Sequence, residues 1–288
     1  MRSSSPACGP DGPPPGPQAE EQQGHLRPGP NELLVAGLGS RGPEGVTLEV
    51  RNALSAVEAV FGYRLYLDQA LPHLGEGCRI SPSGMTAETQ RARECLELAM
   101  TGVRCAMVSG GDAGVYAMAG VVYEVAAGMG LPLGNGDGEL RITVLPGTPA
   151  LCAGAAILGA PITHDFCCVS LSDRLTDWEL IKRRLDLASK ADFVIVIYNP
   201  RSHGRDWQLA EAKELLLKNI PGATPAGLAS RCGREGESAR VTTLEALDPE
   251  EIDMQTIIVI GNSTTFVYRG AMITPRGYIR KYGNPDAA

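Results

Sequence analysis

Six residues near the middle of the chain, Ser109-Gly110-Gly111-Asp112-Ala113-Gly114, are all small apart from one carboxylate. Glycines in such a loop let a ligand lie directly on the backbone, and Asp112 accepts hydrogen bonds from hydroxyl or amino groups. The same stretch also reads as an ordinary strand-to-helix turn with Asp112 as the helix N-cap. A second cluster, Gly37-Leu38-Gly39-Ser40-Arg41-Gly42, has the spacing G-x-G-x-x-G. A dinucleotide loop of that spacing needs a helix opening at once, so that its N-terminus faces the pyrophosphate. Here Pro43-Glu44-Gly45 prolongs the loop and Thr47 is the better cap. A nucleotide-dependent oxidoreductase built on Gly37–Gly42 is therefore the weaker reading.

The elements that must carry these loops follow from hydrophobic patterning. Val103 to Val108 is a short apolar run of the kind that forms a strand buried on both faces, and Val115, Met118, Val121, Val122 and Val125 follow it at helical spacing. Glu32 to Gly37 is another buried strand, leading to a helix capped by Thr47 and lined by Val50, Leu54, Val57 and Phe61. The pattern predicts further strands over 63–67, around Arg79-Ile80, and over 138–145, 167–171, 193–198, 226–229, 240–243 and 256–260. It predicts helices from a Thr86 cap to about 101, over 150–158, from an Asp177 cap through Trp178, Ile181 and Leu185, and over 207–218. Strands alternating with helices in both halves imply two α/β domains with ligand loops facing a shared cleft. The expected division is 31–146 and 147–288, with Pro146-Gly147-Thr148-Pro149-Ala150 as the junction. Residues 1–30, rich in Pro, Gly, Ser and Gln, are expected to be a disordered tail.

Composition narrows the function. A net charge of −7 argues against nucleic acid as a partner, which would call for a basic face. The 8 cysteines include no Cys-x-x-Cys pair, so they read as small buried hydrophobes in a reducing compartment, and no metal site is expected. No secretory pattern opens the chain and no apolar run is long enough to span a membrane, so a cytoplasmic protein is expected.

The order of the loops says more than any one of them. Ser109-Gly-Gly-Asp-Ala-Gly-Val-Tyr116, His164-Asp-Phe166, Ser170-Leu-Ser-Asp173, Tyr198-Asn-Pro-Arg-Ser202, Gly233-Arg-Glu-Gly-Glu237, Gly261-Asn-Ser263 and Thr274-Pro-Arg-Gly-Tyr278 follow one another. This succession resembles the tetrapyrrole methylases, from about residue 32 to Tyr278. The resemblance implies two α/β domains with S-adenosylmethionine (SAM) between them, usually in a homodimer. It implies a SAM loop of Gly110, Gly111, Asp112, Ala113, Val115 and Tyr116, and a junction segment of Pro146, Gly147, Thr148 and Ala150 touching the adenosyl group. Tyr198, Asn199 and Pro200 match the loop beneath the cofactor. Two departures stand out: Ser40 and Arg41 occupy places that are usually Pro-Gly, and Pro149 occupies one that is commonly threonine.

Within the family, the likeness runs to the ring-contracting members of cobalamin synthesis. These place the SAM methyl on C17 of precorrin-3B and give precorrin-4. Methylation of another corrin position, or of the cobalt-bearing intermediate, is the neighbouring alternative. Such a reaction needs a proton removed from a substrate hydroxyl, with His164, Asp165, Asp173 and Arg174 as candidates and Ser83 and His73 as outer options. Each of these also reads as a cap or loop hydrogen bond. Arg41 at the cleft mouth, with Arg201, Arg205, Arg234 and Arg276 as a rim, would suit the substrate's carboxylates, which planar guanidinium groups bind bidentately.

Overall fold

The computed structural model describes residues 31–84, 87–202 and 204–283. The 1–30 segment and the Thr86 cap lie outside the described residues. The first half runs β1 (Glu32–Gly37), α1 (Leu48–Ser55), β2 (Ala59–Tyr63), α2 (Arg64–Ala70), β3 (Arg79–Ser83), α3 (Glu88–Ala99), β4 (Cys105–Ser109), α4 (Met118–Gly128) and β5 (Arg141–Leu145). Its five strands form one parallel sheet in the order β3-β2-β4-β1-β5. Strand residues alternate between two apolar layers. Leu33, Val35, Cys105 and Met107 pack with Ala92, Cys95 and Leu96 of α3 and Val122 of α4. Leu34, Ala36, Ala106 and Val108 pack with Val50 and Leu54 of α1 and Leu67 of α2. Neighbouring strands β1 and β4 thus send their following helices to opposite faces. Between such strands an open sheet leaves a crevice outside its carboxyl ends, which is where ligands bind.

The second half runs α5 (Ala150–Leu158), β6 (Gly159–Ala160), β7 (Phe166–Ser170), α6 (Trp178–Lys190), β8 (Val194–Tyr198), α7 (Gln208–Leu216), β9 (Pro225–Ser230), β10 (Ser238–Thr243), β11 (Thr256–Ile260), β12 (Phe266–Tyr268), β13 (Ala271–Ile273) and α8 (Tyr278–Tyr282). Its main sheet has the order β10-β9-β11-β8-β7, with β7 and β8 parallel and the other pairs antiparallel. Helices α6 and α7 cover one face through Ile181, Leu185, Leu209 and Leu216. Helix α5 covers the other through Leu151 and Leu158, packed with Ala229, Ile257 and Val259. A small sheet, β12-β13-β6, stands beside it. The expected two-part α/β architecture is thus present.

Local expectations mostly hold, with three corrections. Thr47 caps α1 by accepting the Val50 amide, and Asp177 caps α6 by accepting the Glu179 amide. The strand expected over 63–67 is instead the helix α2, and the true strand lies four residues earlier and takes in Phe61. Tyr-Arg-Leu-Tyr-Leu alternates like a strand, yet the buried residues of the segment are Leu67 and Ala70, one helical turn apart. Helix α4 begins only at Met118, so Asp112 is not its N-cap and Val115 lies in the loop.

Candidate active site between the two halves

The loops after β1, β4 and β5 interlock through bare backbone. Gly39 and Gly111 exchange amide–carbonyl hydrogen bonds of 2.9 and 3.0 Å. A β-carbon on Gly37 would stand 2.7 Å from the Gly111 carbonyl oxygen and 2.8 Å from the Gly147 nitrogen. One on Gly147 would meet the Gly111 oxygen at 2.3 Å. Gly111 also has φ +66°, a conformation open mainly to glycine. Gly37 and Gly147 therefore exclude a side chain for want of space, and Gly111 disfavours one through its backbone conformation.

Asp112 binds two loops together. Its Oδ1 accepts the Gly114 amide at 2.8 Å, and its Oδ2 accepts the Gly147 amide at 3.1 Å. Ser40, one of the departures noted above, has a structural use here, since its Oγ donates to the Thr148 carbonyl at 3.2 Å. Pro149 stands at the N-cap of α5, where its carbonyl accepts the Cys152 and Ala153 amides. At the root of the β4 loop, the buried Ser109 Oγ has no hydrogen-bond partner among the described residues.

The same loop reaches the second half through Tyr116, which is 53% exposed. Tyr116 adopts φ 52°, donates its hydroxyl to the Cys168 carbonyl at 3.1 Å and lies 5.0 Å from the Tyr198 ring. The Tyr198 hydroxyl in turn accepts the Leu151 amide at 2.9 Å. Burial raises both phenols above the ordinary tyrosine value, so each ring is neutral and forms an apolar wall. Burial likewise pushes the Cys167 thiol up to about 11 and raises Cys168.

Beyond Tyr198, Asn199 (φ 51°) donates from Nδ2 to Ser170 Oγ at 2.9 Å, and Pro200 is buried. Arg205 lies beneath, 7% exposed, donating from Nη1 to the Leu171 carbonyl at 3.1 Å and the Asn199 carbonyl at 2.6 Å. Asp173 Oδ2 accepts from Gln208 Nε2 at 3.0 Å, and Arg174 is exposed next to it.

Hydrogen bonds and a ring contact therefore link the Gly110–Tyr116 loop to the Pro146–Ala150 segment and to Tyr198, which in turn holds the start of α5. The structure does not gather the acid–base candidates. Asp173 and Arg174 follow the carboxyl end of β7, on the Tyr198 side. His164 and Asp165 precede its amino end, roughly 15 Å away along five strand residues. There, together with Arg276, they line a separate groove of about 740 Å³ beside Phe193, Phe266 and Tyr278. His164 Nδ1 accepts the Asp165 amide at 2.7 Å, which is a local turn bond.

The expected arginine rim is also divided. Arg201 is held by Glu250 at 2.9 Å and by the Pro249 carbonyl, and buried Arg205 braces two loops through Nη1, with its Nε left without a partner among the described residues. Arg41 and Arg234 remain exposed, with Arg41 packed against Gly233. Ser83 accepts a hydrogen bond from Arg91 Nε. Outer candidate His73 bonds the Pro43 carbonyl at 3.1 Å. Two residues of α2 were not foreseen. Gln69 Nε2 donates to the Leu38 carbonyl at 2.9 Å and the Gly42 carbonyl at 3.0 Å, and Tyr66 packs against Gly110.

Residues 32–248 match the family model of the tetrapyrrole (corrin/porphyrin) methylases. The chain belongs to that family. It is 42% identical over 246 residues to a probable cobalt-factor III C(17)-methyltransferase of Salmonella typhimurium, covering 85% of this chain and 99% of that protein. It is 39% identical over 254 residues to a precorrin-3B C(17)-methyltransferase of a Sinorhizobium species, covering 85% and 96%. The crystal structure of the methyltransferase CobJ superposes with a TM-score of 0.79 at 34% identity, covering 85% of this chain and 100% of that one. The chain spans about half the length of some other curated relatives that it matches, in Priestia megaterium and Archaeoglobus fulgidus.

Replacing Asp112 with alanine removes two charge-assisted bonds and leaves the Gly147 amide unpaired. We expect a loss of about 2 kcal/mol in stability to urea, and S-adenosylhomocysteine binding weaker by roughly tenfold or more in calorimetry. Unchanged values for both would show that this carboxylate does not hold the loops.

Proposed function

We propose that the protein transfers a methyl group from SAM to C17 of precorrin-3B, with contraction of the macrocycle. What supports this reading is the Tyr116–Tyr198 contact, which joins strand-end loops of both halves, in a chain similar along most of its length to two C17-methyltransferases. Cobalt-factor III is the second reading, favoured by the name of the Salmonella relative.

The residues present suit the cofactor. Backbone too crowded for any β-carbon forms a cradle, and an aromatic pair supplies a flat apolar wall. The Gly110–Tyr116, Pro146–Ala150 and Tyr198–Pro200 segments would hold it, with the free lone pairs of Asp112 open to its hydroxyl or amino groups. When bound, SAM supplies a methyl on a cationic sulfur, an electrophile that needs no further activation by the protein.

The chain's own task is alignment and exclusion of water. Its neutral tyrosines stand at the crevice wall without attacking a methyl group. Cys167 and Cys168 are kept protonated by burial, so neither offers a thiolate to compete for it. For ring contraction we assign proton removal to Asp173, whose carboxylate Gln208 orients, and charge stabilisation to Arg174. Arg41 and Arg234 bind substrate carboxylates in this reading.

We further propose division of the chain near residue 146, a cytoplasmic location and a homodimer. No helix among the described residues is long and apolar enough to cross a membrane, and the described cysteines are unpaired. The dimer face would be the exposed edge of Phe266, Val267 and Tyr268 together with Tyr278, Ile279 and Tyr282. An exposed apolar edge strand of this kind calls for a covering partner. His164, Asp165 and Arg276 border that face rather than the crevice.

Incubation with methyl-labelled SAM and either precorrin-3B or cobalt-factor III should place label on C17 of the contracted product. Label on any other carbon, or NAD binding with no response to S-adenosylhomocysteine, would overturn the assignment. In sedimentation, the full chain at micromolar concentration should run as a dimer and Phe266→Glu as a monomer. A monomeric parent chain would contradict the dimer.

A further inference from the structure

The first glycine loop is anchored on three sides. Gly39 exchanges backbone bonds with Gly111, Ser40 Oγ donates to the Thr148 carbonyl, and Gln69 Nε2 donates to the Leu38 and Gly42 carbonyls on either side of Arg41. Arg41 is therefore a fixed post of the first half, and it touches the second. A β-carbon built on Gly233 would lie 2.3 Å from Arg41 Cα, 2.6 Å from its Cβ and 2.9 Å from its Cγ. One built on Gly42 would lie 3.2 Å from the Gly233 carbonyl oxygen. The two loops meet backbone to backbone, and Gly233 is required there twice over, by want of space and by its φ of +69°. Ser40 and Arg41 both take part, through a hydroxyl and a side-chain stem that proline and glycine lack.

The loop that carries Gly233 is closed on itself. The Gly233 amide donates to the Glu237 carboxylate, the Arg234 amide to the Arg231 carbonyl at 2.9 Å, and the Glu237 amide to the Arg234 carbonyl at 3.0 Å. This loop follows β9, and β9 runs in the same direction as β8 because β11 is antiparallel to both. Gly233 and Tyr198 therefore stand at the same end of the second sheet, two strand spacings or roughly 10 Å apart. The first half touches that sheet at two places, Tyr116 against Tyr198 and Cys168, and Arg41 against Gly233. A single joint would let the halves twist against each other, whereas two joints at that spacing resist it. Methyl transfer is sensitive to such a twist, because a displacement of about 1 Å in the reacting atoms costs up to about a hundredfold in rate.

We propose that Arg41 and Gly233 are positioning residues, whose contact sets the angle between the half that offers glycine backbone to the methyl donor and the half that carries Tyr198 and Asp173. Neither acts on the reacting atoms in this role. The Gly233-Arg-Glu-Gly-Glu237 motif then serves as the second-half side of a joint rather than as a ligand loop. The proposal rests on the methyltransferase reading above and adds the contact that holds its two sides in register.

Gly233→Ala drives a methyl group into the joint, and Gly236→Ala is its control. Both replace a left-handed glycine of the same loop, at φ +69° and +79°, but a β-carbon on Gly236 would meet only the Arg231 side chain. The assay uses saturating precorrin-3B and SAM, well below each melting temperature. There kcat should fall at least about tenfold in Gly233→Ala and stay within about twofold of the parent in Gly236→Ala. Removing the Arg41 stem makes room, so adding Arg41→Gly to Gly233→Ala should raise kcat again by about threefold or more. Saturation keeps this readout apart from any part Arg41 has in binding substrate, which moves KM. If Gly233→Ala does not fold, Gly42→Ala presses on the Gly233 carbonyl from the first half and should lower kcat about threefold; an unchanged kcat there overturns the proposal. The parent chain is the control for the underlying reading: absence of both S-adenosylhomocysteine binding and methyl transfer rejects the methyltransferase itself. With the parent active, equal kcat in Gly233→Ala and Gly236→Ala overturns the joint, whether both fall or neither does. A double variant no faster than Gly233→Ala overturns it too, because that result assigns the glycine to some contact other than Arg41.

Discussion

The close approach of three glycine backbones is the constraint on which the rest of the structure depends. Gly37, Gly111 and Gly147 end or follow three strands of one parallel sheet, and their peptide groups meet at distances that leave no room for a side chain on Gly37 or Gly147. Asp112 then ties the β4 loop to the β5 loop through the Gly147 amide. Three separate strand ends thereby become one surface of backbone. Such a surface presents donors and acceptors that are already positioned, so a ligand bound there needs little further ordering of the protein.

From this surface the second half is reached by a few contacts of high consequence. Tyr116 is the last residue of the glycine loop, and its ring and hydroxyl lean on Tyr198 and Cys168. Tyr198 in turn fixes the first turn of α5 through the Leu151 amide. Helix α5 packs on the second sheet, so the link continues from loop to loop to core. Underneath, the buried Arg205 braces the Leu171 and Asn199 carbonyls and so sets the height of the Tyr198 loop. Glycine backbone on one side of this link and the Tyr116–Tyr198 pair on the other would suit a ligand with both a hydroxylated and a flat apolar part.

Much of this was legible in the sequence, for identifiable reasons. Strands β1, β4 and β8 are uninterrupted apolar runs, and α1 and α6 carry polar caps, so local chemistry and fold agree there. The candidate cofactor loops could be named only through the resemblance of the ordered motifs to the tetrapyrrole methylases, because glycines and a lone carboxylate also suit an ordinary turn. Helix α2 was misread because Leu65 and Leu67 alternate with their neighbours like a strand, and with it Tyr66 and Gln69 went unseen. Their signal was present as a spacing of three between two polar-tipped side chains beside Leu67 and Ala70. The separation of His164 from Asp173 was not legible, since nine residues apart in sequence says nothing of the strand that holds them at opposite ends of a sheet. The arginines misled for a similar reason: Arg201 has a distant partner in Glu250, which only the fold brings near.

A crystal structure of the protein with S-adenosylhomocysteine tests the central claim most directly. The account predicts ligand contacts with the Gly110–Tyr116 loop, the Pro146–Ala150 segment and Tyr198 at once, in the crevice that joins the halves. A ligand seated instead in the groove of His164, Phe266 and Tyr278, or touching one half alone, would contradict it.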